Sequence, residues 1–177
     1  GNPVSDADVD VTMQDHAFHF GTAVNADLYV YGQDKNGASV SQDVLDKYRR
    51  IVNEKFNTAV LENAHKWAFW ENDRQRADDA TQMLLENGLD VRGHTCVWGR
   101  TDVAAIPNDV LQAAQNGDAQ TVRQRTKQHV RDIVSHYGSD LLEWDVVNEV
   151  MDVWTLQKGI YGDQINGDSP WQGGVGP

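Results

Sequence analysis

Residues Leu141–Glu149 read LLEWDVVNE. A short apolar, β-branched run that stops at an amide and a carboxylate is expected to be a buried strand delivering polar groups at its C-terminal edge. Asn148 and Glu149 are therefore the first candidates for chemistry, and the rest of the chain is read outward from them.

Upstream, Asp90–Trp98 is a second such strand, and Thr58–Asn63 a third, ending in Glu62 and Asn63. Val9–Met13 alternates, and Ala17–Val24 is β-branched and aromatic, so two short strands separated by Gln14, Asp15 and His16 are expected. FHFGTAVN is taken as the first strand of the sheet, with Gly21, Ala23 and Asn25 sharing one face. Between these strands, Val44, Leu45, Tyr48, Ile51, Val52 and Phe56 fall on one helical stripe, with Ser41 as N-cap. Asp73–Asn87 reads as a helix stopped by Gly88. Asp118 caps another, whose inward positions would be Val122, Val130, Ile133 and Tyr137, ending at Gly138. YVYGQDKNGAS reads as a loop, and RTDVAAIPND as a loop with a helical turn beyond Pro107. Four strands alternating with three full helices predict an α/β fold with parallel strands and right-handed crossovers. Residues 150–177, where Gly and Pro become frequent, read as a long loop after the fourth strand.

The chain has 177 residues, enough for one sizeable core. Its formal charge of -12, from 27 acidic and 15 basic residues, disfavours nucleic acid or an anionic membrane as partner. A neutral polysaccharide makes no such demand. No run approaches the ~18 apolar residues of a membrane span. The opening GNPVSDADVD has neither the basic nor the apolar region of a signal peptide, and reads as neither signal peptide nor anchor; a processed secreted chain would look the same. Cys96 is the sole cysteine; it is expected to be a small buried apolar group.

WDVVNE, together with VRGHTCVW at 91–98 and ENAHKW at 62–67, resembles glycoside hydrolase family 10. That family consists mainly of retaining endo-β-1,4-xylanases built on a (β/α)8 barrel. The resemblance runs from about Val9 to about Asn148. A complete barrel needs roughly 250 residues, so it implies one partial catalytic domain over 1–177, truncated to about the first four β/α units. Residues 1–16 would form an N-terminal extension and leading strand, 17–149 strands one to four with helices one to three, and 150–177 the loop after strand four.

In a parallel barrel the catalytic groups sit at the C-terminal ends of the strands. Cleavage of a glycosidic bond needs a proton donor at the leaving oxygen and a second carboxylate at the anomeric carbon. The resemblance makes Glu149 the acid/base, whose pKa must be held up by partial burial and by a nucleophile roughly 5 Å away. It makes Asn148 a hydrogen-bonding partner of the sugar 2-hydroxyl, and Glu62, Asn63 and Lys66 ligands of the glycone hydroxyls. His94 becomes a partner of the sugar beside the nucleophile, and Trp98 part of the wall behind it. Strict alternation puts His94 and Trp98 on one face with Arg92 and Cys96; Asp145 should face the interior with Arg92 and form an ion pair bracing the two strands. Without those motifs, a lone glutamate after a strand is more often inert, and a strand histidine or tryptophan more often plain packing.

Two departures from the family stand out. Many members carry a histidine after the tryptophan matching Trp98, where this chain has Gly99. The family nucleophile lies on strand seven, and no glutamate in residues 1–177 sits in a matching context. His16 and His19 lack a third ligand nearby, so no metal is expected, and the resemblance implies no cofactor. The implied partner is xylan or a related β-1,4-linked polysaccharide, met outside the cell. Two other readings stay open: a non-catalytic carbohydrate-binding half barrel, and a truncated chain inactive in isolation. A half barrel would also leave open strand edges that call for self-association or a missing C-terminal half.

Overall fold

The computed structural model describes residues 5–12, 17–100, 103 and 105–149. The readings of residues 13–16, including His16, and of the loop at 150–177 lie outside the described residues. One parallel sheet holds four strands in sequence order: β1 (Gly21–Val24), β2 (Thr58–Leu61), β3 (Asp90–Trp98) and β4 (Glu143–Asn148). Helices α1 (Gln42–Lys55), α2 (Trp67–Asn72), α3 (Arg74–Glu86), α4 (Asn108–Gln115) and α5 (Ala119–Tyr137) run between the strands. This is the alternation of the first four units of a (β/α)8 barrel. No described helix is long and apolar enough to cross a membrane.

The core lies between the sheet and its helices. Val24, Leu61 and Val91 are fully buried beneath Ala77, Ala80 and Leu84 of α3 and Val122 and Ile133 of α5. Asp118 caps α5 by accepting from the backbone N–H of Thr121, and Asp73 caps α3 through Arg76. Gly88 and Gly138 follow the two helices with positive φ, as their sequence positions predicted.

Several expectations are corrected. Residues 9–12 form no strand, and Val9 and Val11 are exposed: alternation specifies a strand only where a partner edge is present. The first barrel strand is confined to Gly21–Val24. Helix α1 is rotated from its apolar stripe, with Val44 and Ile51 exposed. Val52, Tyr48 and Phe56 of the stripe still pack on the core, while Arg49 and Asn53 face a π-helical turn at Asp27–Tyr31, within what reads partly as loop, and supply its polar partners. Arg49 donates to the carbonyls of Tyr29 and Val30, and the Tyr29 hydroxyl donates to Asn53 at 2.6 Å. Ser41 stands at the N-cap position without a side-chain cap bond. Helix α2 and the full length of α4 are additional to the three helices expected. In α5, His129 is buried where Val130 was expected to be the inward residue, and Val130 packs only partly against the core.

Strand β4 is not the buried strand its sequence suggests. A central parallel strand is covered by a neighbour on each edge and helices on its faces. Among the described residues β4 pairs with β3 alone, and Val146 and Val147 are exposed. In β3, the register advances three residues from His94 to Val97 while β4 advances two, from Asp145 to Val147. This bulge breaks the strict alternation: Thr95, Cys96 and Val97 are all buried, so Cys96 does not share the partly exposed setting of Arg92, His94 and Trp98. Burial pushes the Cys96 thiol up to about 12, the behaviour of an inert apolar group.

Gly93 of β3 is the register partner of Trp144 of β4. A Cβ there would lie 2.3 Å from the Trp144 indole. Gly93→Ala is therefore expected to destabilise the chain by about 1–3 kcal/mol, as overpacking does, read as a lowered urea midpoint; an unchanged midpoint would contradict this packing. His129 gives a second prediction. It is fully buried, stacked on Trp67 and edge-on to Trp70. Burial outweighs Glu71 nearby and holds its pKa down to about 4. The unfolded chain takes up that proton near pH ~6.5, so between about pH 6.5 and about 4 the unfolded state binds more protons. Stability should fall as pH drops through that window, by up to about 1.4 kcal/mol per pH unit for this group. His129→Phe keeps a stacking ring and should flatten that slope in urea titrations; an identical slope would contradict it.

Candidate functional site

The polar residues at the C-terminal ends of β2, β3 and β4 meet at Trp98. Trp98 closes β3 and pairs in register with Asn148 at the end of β4. Its indole N–H donates to Glu149 Oε2 at 2.6 Å. Glu149 follows directly after β4 and adopts φ 55°, a left-handed conformation that a non-glycine residue holds at a cost of about 1–3 kcal/mol. Such positions concentrate at sites where a side chain must be aimed. Glu149 is exposed, so the partial burial required of an acid/base is not supplied by the described residues.

Lys66 reaches the same tryptophan from the β2 side. Its ammonium lies 4.3 Å from the Trp98 ring centroid, a cation–π distance, and donates to Asn63 Oδ1 at 2.9 Å. Only 8 % of Lys66 is exposed, and this burial lowers its pKa, opposed by the negative charges of Glu62 and Glu149. Glu62 and Asn63 stand just past β2, where the Glu62 N–H bonds to Val24 and extends the β1–β2 ladder by one residue. Arg100 covers Trp98 as well, with its guanidinium 5.4 Å from the ring.

Deeper along β3, His94 pairs with Asp145 of β4. His94 Nδ1 is 2.9 Å from Asp145 Oδ2, and the other carboxylate oxygen forms the ion pair with Arg92. Arg92 Nε is 2.9 Å from Glu143 as well. The Thr95 hydroxyl donates to the Asp145 carbonyl, and the His94–Thr95 peptide is cis. Behind this network, His65 is fully buried, bonded through Nε2 to Thr81 and packed against Tyr137 and Trp144. Burial holds His65 down to about 3, so it is a neutral core group.

The structure thus brings Lys66, Trp98 and Glu149 into contact, with Glu62, Asn63 and Asn148 beside them on the strand ends, and links His94 to the strand that carries Glu149. The sequence reading missed the His94–Asp145 contact, the cover by Arg100 and the burial of His65. The shared parity of Arg92 and His94 on β3, with Asp145 expected opposite Arg92, was the available signal for the first. An open cavity of about 540 Å³ lies at the opposite, N-terminal end of the strands, against His19, Thr58, Arg92 and Glu143. It is away from Trp98 and Glu149, so its size does not make it the site. There, His19 Nδ1 is 3.0 Å from the Thr58 hydroxyl. No group of three or more metal-ligating side chains occurs among the described residues.

Comparison with known proteins places the chain in a family. The model of glycosyl hydrolase family 10 matches residues 12–177. A β-1,4-xylanase of Dictyoglomus thermophilum is 31 % identical over 120 residues, which cover 65 % of this chain and 32 % of that protein. Endo-1,4-β-xylanase 1 of Humicola insolens is 30 % identical over 137 residues, 73 % of this chain and 30 % of that protein. Among solved structures, a thermostable mutant of the xylanase Xyn10A from Cellvibrio japonicus superposes with a TM-score of 0.57 at 26 % identity, covering 76 % of this chain and 35 % of that one. Xylanase10C of the same organism, solved as its E385A mutant with xylopentaose, gives 0.56 at 25 % identity, covering 73 % of this chain and 25 % of that one. The chain spans about a third of the length of the relatives it matches. Its four strands are the first four of the (β/α)8 barrel, and the chain belongs to glycosyl hydrolase family 10.

Proposed function

We propose that residues 1–177 are one partial catalytic domain, the N-terminal part of a retaining endo-β-1,4-xylanase that cleaves internal bonds of xylan. The convergence of Lys66, Trp98 and Glu149 carries this reading, since three strand ends deliver a carboxylate, an aromatic face and a cation to one point. A sugar ring has apolar C–H faces and equatorial hydroxyls, and such a cluster offers a partner to each.

In this reading Glu149 protonates the leaving glycosidic oxygen and then, as carboxylate, takes a proton from the water that completes the reaction. Its hydrogen bond from Trp98 sets the direction of the carboxylate. The second carboxylate that this reaction needs, the nucleophile, is not among residues 1–177. Asn148 contacts the 2-hydroxyl, an interaction that strengthens as the ring flattens and so favours the transition state. Glu62, Asn63 and Lys66 hold the glycone hydroxyls, and His94 and Trp98 line the sugar nearest the cut. The remainder of the barrel would cover β4, where Leu142 and Val146 are exposed; self-association of two copies would serve the same need. A polymer of this kind is met outside the cell, which assigns the whole protein to the extracellular space.

Two outcomes are expected of the 177-residue chain. Without a nucleophile it should not hydrolyse xylan by double displacement; turnover that survives purification and disappears in Glu149→Gln would contradict this. Glu62→Ala, which removes an exposed side chain, should weaken xylotriose binding about tenfold or more in titration calorimetry, the scale of a charged hydrogen bond. Unchanged affinity would remove Glu62 from the site.

A further inference from the structure

His94 is held from one side by a single carboxylate. Asp145 Oδ2 faces His94 Nδ1, Asp145 Oδ1 faces Arg92, and the Asp145 carbonyl accepts from the hydroxyl of Thr95, the residue next to His94. The contact is set by the sheet, because His94 and Asp145 are register partners across β3 and β4. It is also largely shielded, each side chain being 21 % exposed.

An aspartate carboxylate accepts hydrogen bonds and donates none. A neutral imidazole carries one N–H, and the hydrogen bond made by one ring nitrogen decides which nitrogen has it. Facing Asp145, Nδ1 must be the donor, which leaves the lone pair on Nε2 at the opposite edge of the ring. We propose that Asp145 is a positioning residue that fixes His94 in its Nδ1–H tautomer, so that Nε2 meets the substrate as an acceptor for a sugar hydroxyl. This rests on the reading of His94 as a sugar contact. Its consequence is a polarity: the histidine requires a hydroxyl hydrogen, and a sugar blocked by an ether or ester at that oxygen would find none to give.

Arg92 makes the idea testable. The guanidinium only donates, so in Asp145→Asn it claims the single amide oxygen and turns the NH2 group toward His94 Nδ1. Nδ1 must then accept, and the tautomer inverts to Nε2–H. Asp145→Ala removes the acceptor altogether and should also give up the Nδ1–H form. The experiment is a long-range 1H–15N correlation of the histidine rings in the 15N-labelled chain at alkaline pH, with His94 assigned by its loss in His94→Gln. Nδ1–H in the native chain and Nε2–H in both Asp145 variants are expected. Nε2–H in the native chain, or Nδ1–H retained in a folded variant, would overturn the proposal. Where circular dichroism shows a variant to be unfolded, the native tautomer decides alone. Added xylotriose tests the underlying reading separately: a native Nδ1–H tautomer whose Nε2 resonance ignores xylotriose upholds the positioning by Asp145 and removes His94 from the sugar site.

Discussion

The pairing of β3 with β4 is the constraint on which the rest of the site depends. Their shared register places His94 against Asp145 and Trp98 against Asn148, so that one set of backbone hydrogen bonds fixes the partners of two candidate sugar contacts. That pairing is possible because Gly93 has no side chain where the Trp144 indole crosses. Trp144 in turn rests on His65 and Tyr137, which tie the strand to α3 and α5. The path from core packing to the rim is therefore short. A large ring seated over a glycine packs the strand pair onto the helices, and the register of that pair sets which polar groups meet.

Charge at the rim is arranged with the same economy. Lys66 is buried, yet it has the Asn63 oxygen, the Trp98 face and two carboxylates nearby, so its ammonium is not stranded. Glu149 is reached by the indole N–H of the same tryptophan. Trp98 thus serves a cation on its face and an anion at its edge, as the quadrupole and the N–H of an indole allow. On the proposed reading, a sugar bound in the completed barrel would find these groups already oriented.

Much of this was legible in the sequence where a residue type punctuates the backbone. Gly88, Asp118 and Gly138 fixed helix ends, and the polar stops after Leu61 and Val147, with Trp98 closing β3, placed the rim. The bounds of β3 match the reading residue for residue. Other features were hidden for physical reasons. A six-residue helix such as α2 is too short to display a period. Arg49 and Asn53 of α1 bond the π-turn, a contact with a different segment that the stripe of α1 does not show. The bulge in β3 exists only relative to β4, and the bond between His94 and Asp145 joins residues that only the register brings together. His129 was passed over because a histidine is not counted among apolar residues, although a neutral imidazole between two tryptophans behaves as one.

The most direct test of the account is where a short xylan oligomer touches the chain. Backbone and side-chain 1H–15N spectra recorded as xylotriose is added should move the resonances of Glu62, Asn63, Lys66, His94, Trp98, Asn148 and Glu149, and leave those of His19, Thr58 and Glu143 in place. Shifts confined to the cavity at the opposite end of the strands, or spread evenly along the open sheet, would contradict a sugar site built on the strand ends around Trp98 and Glu149.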